Sequence, residues 1–484
     1  MKALNADAAF YTDYYQLTMA QGYFFGGRSN VQACFDYFFR ENPFGGGYVI
    51  FAGISDVAEV LADLHFEPQQ LEYLRKQGFR EEFLDYLKQF RFRGTIRSVR
   101  EGEVVFPLEH LVRVHGTLIE AQIIETLLLN LVNFESLIAT KASRLRTAAG
   151  NRRVVDFGLR RAQGLGGIHA SKAAIIGGLD ATSNVYSAYY YDLEPTGTQA
   201  HSWIQSFDDE LSAFRKFAET YPEKTVLLVD TYNTLHSGVP NAITVAKELE
   251  QRGHRLQAIR LDSGDLAYLS KHTRAMLDEA GLSYVKIVVS NQLDEYVIRS
   301  LIQQDAPIDS FGVGTRLAVA QDTPALDGVY KLAASDGKPR LKFSENFNKM
   351  TLPGFKKILR FRDGEGMFYA DGILLDSETS VESIVHPFFS TQHSRVSGLK
   401  SEELMHDVVR EGKVVDGVPT AKQSAAYAQE RLKHLSAEHK RFENPHVFKV
   451  GISPALLDLR TELYEAIGKQ IRSSNGSAKG KKNL

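Results

Sequence analysis

The residues best suited to chemistry follow short apolar runs in the middle of the chain. Asp230 ends the run Thr225-Val-Leu-Leu-Val-Asp230, and Asp262 ends Leu256-Gln-Ala-Ile-Arg-Leu-Asp262. Their carboxylates could bind Mg²⁺ or the hydroxyls of a ribose. The turn Asp262-Ser-Gly-Asp265 also opens a helical pattern, so its backbone N–H groups could receive an anion, although an N-cap role accounts for Asp265 alone.

Two arginines and a histidine follow similar runs. Arg160 and Arg161 lie in Asp156-Phe157-Gly-Leu-Arg-Arg161. A guanidinium can hold a carboxylate or a phosphate through two hydrogen bonds, although neighbouring arginines are often simply solvated. His201 lies in the glycine-containing stretch Thr196-Gly-Thr-Gln-Ala-His201-Ser202. A neutral imidazole there could act as an acid, a base or a nucleophile towards phosphorus.

Small polar residues and glycines end the last two runs. Ser290-Asn291 follow the run from Val285, and Gly312-Val-Gly314-Thr315 follow the run from Ile308. Glycines let a phosphate approach the backbone, and barrels commonly bind phosphate at these last loops. The pattern predicts a protein that acts on a phosphorylated sugar or nucleotide. An isomerase or an aldolase would fit it too, but no strand end carries a lysine placed for a Schiff base.

These residues can form one site only if the strands before them run parallel, so that the carboxyl ends of the strands lie at one edge of a sheet. The apolar runs are rich in β-branched residues, which is typical of strands buried on both faces. Amphipathic helical patterns alternate with them over residues 152–335, and this alternation predicts a parallel sheet, either closed into a barrel or doubly wound. We favour a barrel because polar residues recur at the carboxyl ends of successive strands, where barrel enzymes place their active sites. A doubly wound fold remains possible, but its usual marker is absent, since Gly164-Leu-Gly166-Gly167 is a poor dinucleotide-binding loop.

The flanking segments follow other patterns. Residues 1–117 contain strand patterns around the turn Asn42-Pro-Phe-Gly-Gly-Gly47 and predict a separate α+β layer, followed by connecting helices over residues 118–151. Residues 336–472 alternate in part like antiparallel strands. Residues 473–484, rich in Ser, Gly and Lys, predict a disordered tail.

Composition excludes several classes of protein. The 484 residues include 57 Lys+Arg and 59 Asp+Glu, a net charge of −2, which argues against a nucleic acid or an anionic membrane as partner. The single cysteine, Cys34, cannot form an intramolecular disulfide. The apolar runs are too short to cross a bilayer, and the first residues lack a signal-peptide pattern, so we expect a cytoplasmic protein.

At these residues the sequence resembles the nicotinate phosphoribosyltransferases, which are type II phosphoribosyltransferases. The resemblance covers most of the chain and rests on several long motifs in the family's order. They are Thr12-Asp-Tyr-Tyr15-Gln16-Leu-Thr-Met19, Phe35-Asp36, Asn42-Pro-Phe-Gly-Gly-Gly47, Asn133-Phe-Glu135, Asp156-Phe-Gly-Leu-Arg-Arg161-Ala-Gln-Gly164, Gly197-Thr-Gln-Ala-His201-Ser202, Arg260-Leu-Asp-Ser-Gly-Asp265, Ser290-Asn291, Gly312-Val-Gly-Thr315 and Gly328-Val-Tyr-Lys331.

The resemblance implies transfer of phosphoribosyl from phosphoribosyl pyrophosphate to nicotinate, driven by ATP hydrolysis, as the salvage entry to NAD. It also implies an irregular, incomplete α/β barrel with an α+β sandwich domain that the N-terminal segment and part of the C-terminal segment form. The resemblance further implies a homodimer with active sites shared between subunits. Mg²⁺ is expected to bind mainly through substrate phosphates, so no residue is assigned as a dedicated metal ligand.

The resemblance also implies roles for individual residues. Phe157 and a Tyr15 from the partner subunit would sandwich the nicotinate ring, while Arg160 and Arg260 would hold its carboxylate or the donor phosphates. The 5′-phosphate would be bound by Ser290, Asn291, Gly312, Gly314 and Thr315. Asp230 and Asp262 would contact ribose hydroxyls or Mg²⁺. His201 would accept a phosphoryl group from ATP, and Ser202 would contact the ring carboxylate or orient His201.

Other assignments are weaker. Asp180 is left out because an unpaired carboxylate beside an anionic substrate is unfavourable. A related enzyme that prefers nicotinamide is the nearest alternative, and a catalytically inactive nucleotide-binding protein on the same fold is another. The presence of Arg160, His201, Arg260 and Asp262 argues against the inactive protein.

Overall fold

The computed structural model describes residues 7–343, 351–389, 391–415 and 417–479, with side chains as far as residue 471. The chain forms two compact units. The first comprises Met1–Leu137, Ala325–Thr420 and Tyr427–Leu484, and the second comprises Ile138–Pro324 and Ala421–Ala426.

The strands are numbered in chain order. They are β1 Gln32–Phe39, β2 Val49–Ile50, β3 Thr95–Ser98, β4 Val104–Val105, β5 Val112–Thr117, β6 Arg153–Asp156, β7 Ala181–Thr182, β8 Val226–Leu228, β9 Ala258–Leu261, β10 Lys286–Ser290, β11 Ser310–Val313, β12 Gly328–Ser335, β13 Lys338–Pro339, β14 Lys356–Arg362, β15 Phe368–Leu375, β16 Ser383–Val385, β17 His393–Arg395, β18 Lys400–Glu403, β19 His406–Arg410, β20 Lys413–Val414 and β21 Val450–Ile452.

The α-helices of the first unit are Tyr14–Phe25, Ile54–Leu61, Pro68–Lys76, Glu81–Lys88, Leu118–Ile123 and Pro454–Lys479. Those of the second are Gly166–Ile176, Val185–Tyr190, His201–Gln205, Glu210–Thr220, Val239–Gln251, Leu266–Glu279, Glu295–Gln303 and Thr315–Ala318. Two helices, Glu125–Ala149 and Ala421–Lys433, contribute residues to both units.

The second unit is built on a six-stranded sheet in the order β7-β6-β11-β10-β9-β8, with every neighbouring pair parallel. Its central residues Val154, Ile259, Ile287 and Phe311 are fully buried, as the apolar runs predict for strands covered on both faces. Helices follow β6, β8, β9 and β10, so the βα reading of this region is confirmed, and the sheet is an incomplete α/β barrel.

The first unit contains a seven-stranded sheet and a six-stranded sheet. One has seven antiparallel strands in the order β13-β12-β1-β5-β3-β19-β20, and the other has six strands in the order β17-β16-β21-β15-β14-β18. Strands from both ends of the chain share the first sheet, because β1 pairs with β12 and β3 pairs with β19. This confirms a sandwich formed by the N-terminal segment and part of the C-terminal segment.

Buried charges join the two sheets of the first unit. Lys356 of β14 lies 2.8 Å from the Asp36 carboxylate of β1 and donates to the carbonyls of Leu352 and Gly354. Arg360 of β14, which is fully buried, contacts Glu103 at 2.6 Å and Asp371 at 2.5 Å. Each buried cation therefore has its carboxylate, as burial of a charge requires.

Two features of the chain differ from the expected pattern. The second unit ends at Pro324, before the expected barrel end at residue 335, because β12 pairs with β1 in the seven-stranded sheet. Residues 473–479, expected in a disordered tail, continue the last helix, whose amphipathic start already bears the cost of helix nucleation. The remaining tail residues, 480–484, lie outside the described residues.

Across the described residues, no helix combines the length and the apolar character that crossing a lipid bilayer requires.

Candidate active site

The carboxyl ends of the parallel strands bring the predicted residues to one edge of the sheet. Neighbouring strands pair Asp156 with Val313, Gly312 with Ser290, and Arg260 with Leu228. Asp230 and Asp262 lie just beyond the ends of β8 and β9. Residues separated by more than a hundred positions thus become neighbours, because parallel strands all end at the same edge.

Arg260 is the centre of this edge. Its Nε donates to the Ser290 hydroxyl at 2.9 Å, one terminal nitrogen donates to the Thr198 hydroxyl at 3.3 Å, and the other lies 2.7 Å from an Asp262 carboxylate oxygen. The hydroxyl of Ser290 also donates to Asp262. With only 14% of its side chain exposed, Arg260 is fixed in one orientation by these partners.

The Phe157 ring packs beside this guanidinium. The carbon at the centre of the Arg260 guanidinium lies 5.3 Å from the centre of the Phe157 ring, a cation–π distance. Gly312 allows this packing, because a Cβ at that position would lie 2.4 Å from the ring. The N–H of Phe157 donates to the Val313 carbonyl at 2.7 Å, so its backbone is tied to β11.

The two oxygens of the Asp230 carboxylate have different surroundings. One oxygen of Asp230 accepts hydrogen bonds from the backbone N–H of Asp262 and from the hydroxyl of Ser263, both at 2.7 Å. The other oxygen, Oδ1, is buried and has no hydrogen-bond partner among the described residues. A buried carboxylate oxygen without a donor is well suited to a cation or a sugar hydroxyl.

His201 begins the helix His201–Gln205 and faces the same edge. Its Nδ1 lies 3.1 Å from the Thr231 hydroxyl, and its Nε2 lies 3.8 Å from the Asp262 carboxylate. The imidazole is 40% exposed, so an external group can reach it. Asp262 thus lies between Arg260 and His201 and contacts both.

Several predicted residues lie at the edge without forming side-chain contacts to these groups. Asn291 is exposed and has a positive φ of 83°, in the turn after β10. Gly314 and Thr315 begin the short helix after β11 and are half-buried. The side chains of Arg160 and Ser202 are exposed.

Two other residues considered in the sequence belong to the first unit or to the opposite edge of the sheet. Tyr15 belongs to the first unit, where it is 50% exposed and its hydroxyl lies 3.4 Å from Glu125. Asp180 precedes β7 and accepts from the Val154 N–H at 2.7 Å, near the start of β6. It also pairs with Arg146, so it belongs to the opposite edge of the sheet.

Three residues of the edge were missed by sequence reasoning. Thr198 contacts Arg260, and Thr231 contacts His201. Asp156 anchors the turn that carries Phe157. Thr198 and Asp156 lie inside motifs already singled out, and Thr231 directly follows Asp230. Their position beside a predicted residue was the available signal.

A parallel half-barrel with cations, carboxylates and glycine turns at its carboxyl edge, in a chain that also forms a sandwich, defines a type II phosphoribosyltransferase. Family models agree with this class. The nicotinate phosphoribosyltransferase N-terminal domain matches residues 10–133, the nicotinate phosphoribosyltransferase family matches residues 152–363, and its C-terminal domain matches residues 355–460. The chain therefore belongs to the nicotinate phosphoribosyltransferase family.

Individual relatives support the same family. The chain is 41% identical to a nicotinate phosphoribosyltransferase of Bacillus subtilis (strain 168), over 92% of each chain. It is 36% identical to one of Dictyostelium discoideum, over 94% of this chain and 87% of the relative. The crystal structure of human nicotinic acid phosphoribosyltransferase superposes with a TM-score of 0.84 at 32% identity, covering 93% of this chain and 99% of that one. This chain is thus an enzyme of the nicotinate phosphoribosyltransferase class, which transfers phosphoribosyl to nicotinate in NAD salvage.

Proposed function

We propose that this enzyme transfers phosphoribosyl from phosphoribosyl pyrophosphate to nicotinate at the carboxyl edge of the half-barrel, and that it couples this transfer to ATP hydrolysis. The observation that carries the proposal is the guanidinium of Arg260 fixed 5.3 Å from the ring centre of Phe157. An aromatic carboxylate needs a flat apolar face and a cation side by side, and these two side chains supply both.

The reaction requires little proton transfer. The pyridine nitrogen of nicotinate has a free lone pair, which forms the new bond to the anomeric carbon as the bond to pyrophosphate breaks. The ribose passes through an oxocarbenium-like state. The protein must therefore orient the two substrates, stabilise the departing pyrophosphate and keep water from the donor.

Anionic parts of the donor would bind at the other strand ends. Ser290, Asn291, Gly312, Gly314 and Thr315 would hold the 5′-phosphate through hydroxyls and backbone N–H groups. Arg160 is exposed beyond the end of β6, where it can share the pyrophosphate or the nicotinate carboxylate with Arg260.

Magnesium fits this edge. The orphaned Oδ1 of Asp230 is a hard oxygen ligand, and Asp262 is the second carboxylate of the same edge. When bound, the ion supplies charge neutralisation for the pyrophosphate. Because the substrate phosphates offer more oxygens than the protein does, we expect Asp230 and Asp262 to contact ribose hydroxyls or the ion and the phosphates to provide most of its ligands.

ATP would act through His201. The imidazole nitrogen attacks the γ-phosphorus as the bond to ADP breaks, and water later hydrolyses the phosphohistidine to phosphate. Thr231 holds Nδ1, and the Ser202 hydroxyl is placed next along the same helix to orient the imidazole or contact the ring carboxylate.

The active site would be completed in a homodimer. Tyr15 is half exposed although it is aromatic, on a helix that also exposes Tyr14, Met19 and Phe25. In this proposal Tyr15 of one subunit covers the nicotinate ring held by Phe157 of the other. The cytoplasmic location expected from the sequence remains a prediction.

The direct test is an assay of purified protein with nicotinate, phosphoribosyl pyrophosphate, Mg²⁺ and ATP. Nicotinate mononucleotide and pyrophosphate should form, and ADP should accumulate with them. Product formation that is the same with and without ATP would remove the coupling from the proposal. Competition with nicotinamide in the same assay distinguishes the two substrates, since a neutral amide gains less from Arg260 than a carboxylate does.

A further inference from the structure

A buried hydrogen-bonded cluster lies directly behind the turn that carries Phe157. Its members, Asp156, Ser171, Thr182 and Asn184, are named the Asp156 cluster here. Each is at most 1% exposed. They come from β6, the helix Gly166–Ile176, β7 and the start of the next helix, so one hydrogen-bonded cluster joins four separate elements.

Asp156 fixes the backbone on one side of Phe157. Its Oδ1 accepts from the N–H of Gly158 at 2.7 Å, and its Oδ2 accepts from the hydroxyls of Ser171 and Thr182, each at 2.7 Å. The N–H of Phe157 itself is bound to the Val313 carbonyl. Both peptide N–H groups that flank the Phe157 side chain are therefore held.

Asn184 directs the two hydroxyls towards Asp156. Its side-chain amide donates to the Ser171 hydroxyl at 3.2 Å, and its backbone N–H donates to the Thr182 hydroxyl at 3.0 Å. Because these N–H groups occupy hydroxyl lone pairs, the hydroxyl hydrogens are free to point at the carboxylate. Burial raises the pKa of Asp156, and the hydrogen bonds that its carboxylate accepts from Ser171, Thr182 and the Gly158 N–H oppose that rise.

Thr182 also holds the loop that leads to His201. Its carbonyl accepts from the N–H of Thr196 at 2.9 Å, and its own N–H donates to the Glu194 carbonyl at 3.1 Å. One residue thus connects the Phe157 turn, through its hydroxyl, with the start of the segment that contains Thr198 and His201, through its backbone.

We propose that the Asp156 cluster positions the nicotinate ring by fixing Phe157 against Arg260. This inference rests on the proposed role of Phe157 as the ring-stacking face. The members are positioning residues, since all four are buried and would act on the substrate only through Phe157. Hydrogen bonds that support a binding group set its geometry, and a shift of about 1 Å can cost a large factor in substrate use.

The test is Thr182→Val, which keeps the shape of the side chain and removes the hydroxyl. Because Asp156 then loses one of three donors and the N–H of Asn184 loses its acceptor, the Phe157 turn loosens. We expect the KM for nicotinate to rise about tenfold while the KM for phosphoribosyl pyrophosphate stays within about twofold. Thr182→Ser restores the hydroxyl and should restore the nicotinate KM.

A matched control is Thr273→Val in the same unit. Thr273 is equally buried, but its hydroxyl has no hydrogen-bond partner among the described residues. Its replacement should leave both KM values unchanged. Ser171→Ala provides a second, smaller change of the cluster if Thr182→Val fails to fold, and it should raise the nicotinate KM in the same selective way.

A double-mutant cycle shows whether the cluster acts through Phe157. In a Phe157→Ala background, Thr182→Val should add no further rise in the nicotinate KM, because the positioned ring is gone. Equal rises in both backgrounds, or equal rises in the KM values of both substrates, would overturn the inference. If Phe157→Ala alone leaves the nicotinate KM unchanged, the proposed role of Phe157 fails instead, so the two failures are distinguishable.

Discussion

At the level of single residues, Asp262 connects the two reactive parts of the site. One of its oxygens binds Arg260 and the other lies 3.8 Å from His201 Nε2. A phosphoryl group on His201 would bring negative charge towards this carboxylate, and like charges at such a distance repel. Because Asp262 lies between His201 and Arg260, this repulsion is directed towards the guanidinium, so a change of charge on His201 would reach Arg260 through this one carboxylate.

The proposed role of His201 as phosphoryl acceptor predicts the effect of His201→Ala. The variant should lose the increase in nicotinate mononucleotide formation that ATP produces in the wild type, and it should retain slow transfer that does not consume ATP. Product and ADP measured in parallel test this outcome. His272→Ala, which changes an exposed histidine of the helix Leu266–Glu279, is the control and should keep full coupling. Unchanged coupling in His201→Ala would exclude this residue as the phosphoryl acceptor.

The buried side chain of His110, in the first unit, should make the folded protein less stable in mild acid. It is 3% exposed and packs against the Phe38 ring, and burial lowers its pKa to about 3 although Asp36 opposes the shift. Its pKa in the unfolded chain is about 6.5. The unfolded state therefore binds the extra proton first, so this stabilisation is complete above pH 6.5 and is lost as the pH falls towards 3.

Urea unfolding between pH 5 and pH 7.5 measures this effect. From the two pKa values, the loss attributable to His110 at pH 5 is about 2 kcal/mol. His110→Gln should flatten the pH dependence of the unfolding midpoint, whereas His236→Gln, at an exposed position, should not. Identical slopes for wild type and His110→Gln would contradict the assignment.

At the level of elements, the end of β11 must lack a side chain for the ring site to form. A Cβ on Gly312 would lie 2.4 Å from one Phe157 ring carbon and 3.2 Å from the Ser290 Cβ. Gly312→Ala should therefore displace the ring and raise the nicotinate KM about tenfold, since a well-packed site cannot absorb an added methyl group without movement. The control is Gly22→Ala, where an added Cβ meets nothing within 4 Å. Steady-state kinetics measure this effect. A nicotinate KM of Gly312→Ala equal to that of the wild type would show that nicotinate binding tolerates a displaced Phe157 ring.

The same elements show what the sequence could predict. Strands β8 to β11 lie inside the apolar runs from which they were predicted. A strand buried on both faces can be found in this way because its sequence is a short, continuous run of apolar residues. Strand β7 has two residues, too few for any periodicity, and it was missed although Thr182 lies on it. The contacts of Thr198 and Asp156 could not be predicted either, since they depend on how the chain returns to the sheet after long helices.

At the level of the whole molecule, both ends of the chain build the first unit. The N-terminal strand β1 pairs with β12, and buried Arg360 contacts both Glu103 and Asp371. A fragment ending near residue 330 would lack Lys356 and Arg360, the cations that pair with the Asp36 and Glu103 carboxylates, so these two carboxylates could no longer be held in a paired, buried state. The sandwich is thus a product of the full chain rather than of an independent N-terminal domain.

The proposed dimer predicts complementation between two inactive variants. If Tyr15 of one subunit completes the site of the other, Tyr15→Ala and Arg260→Ala disable the same site from different subunits. In a hybrid dimer, one site carries both changes and the other carries none. Random assembly then restores about a quarter of the wild-type sites, because half of the dimers are hybrids and each hybrid has one intact site. Co-expression of the two variants with different affinity tags, followed by assay of the unfractionated mixture, measures this recovery, and the doubly purified hybrid should show about half of the wild-type activity. Arg260→Ala combined with Asp262→Ala is the control: Arg260 and Asp262 lie in one subunit's sheet and contact each other at 2.7 Å, so every site of that hybrid keeps one lesion and stays inactive. Recovery in the control pair, or none in the first pair, would show that Tyr15 does not act across the dimer.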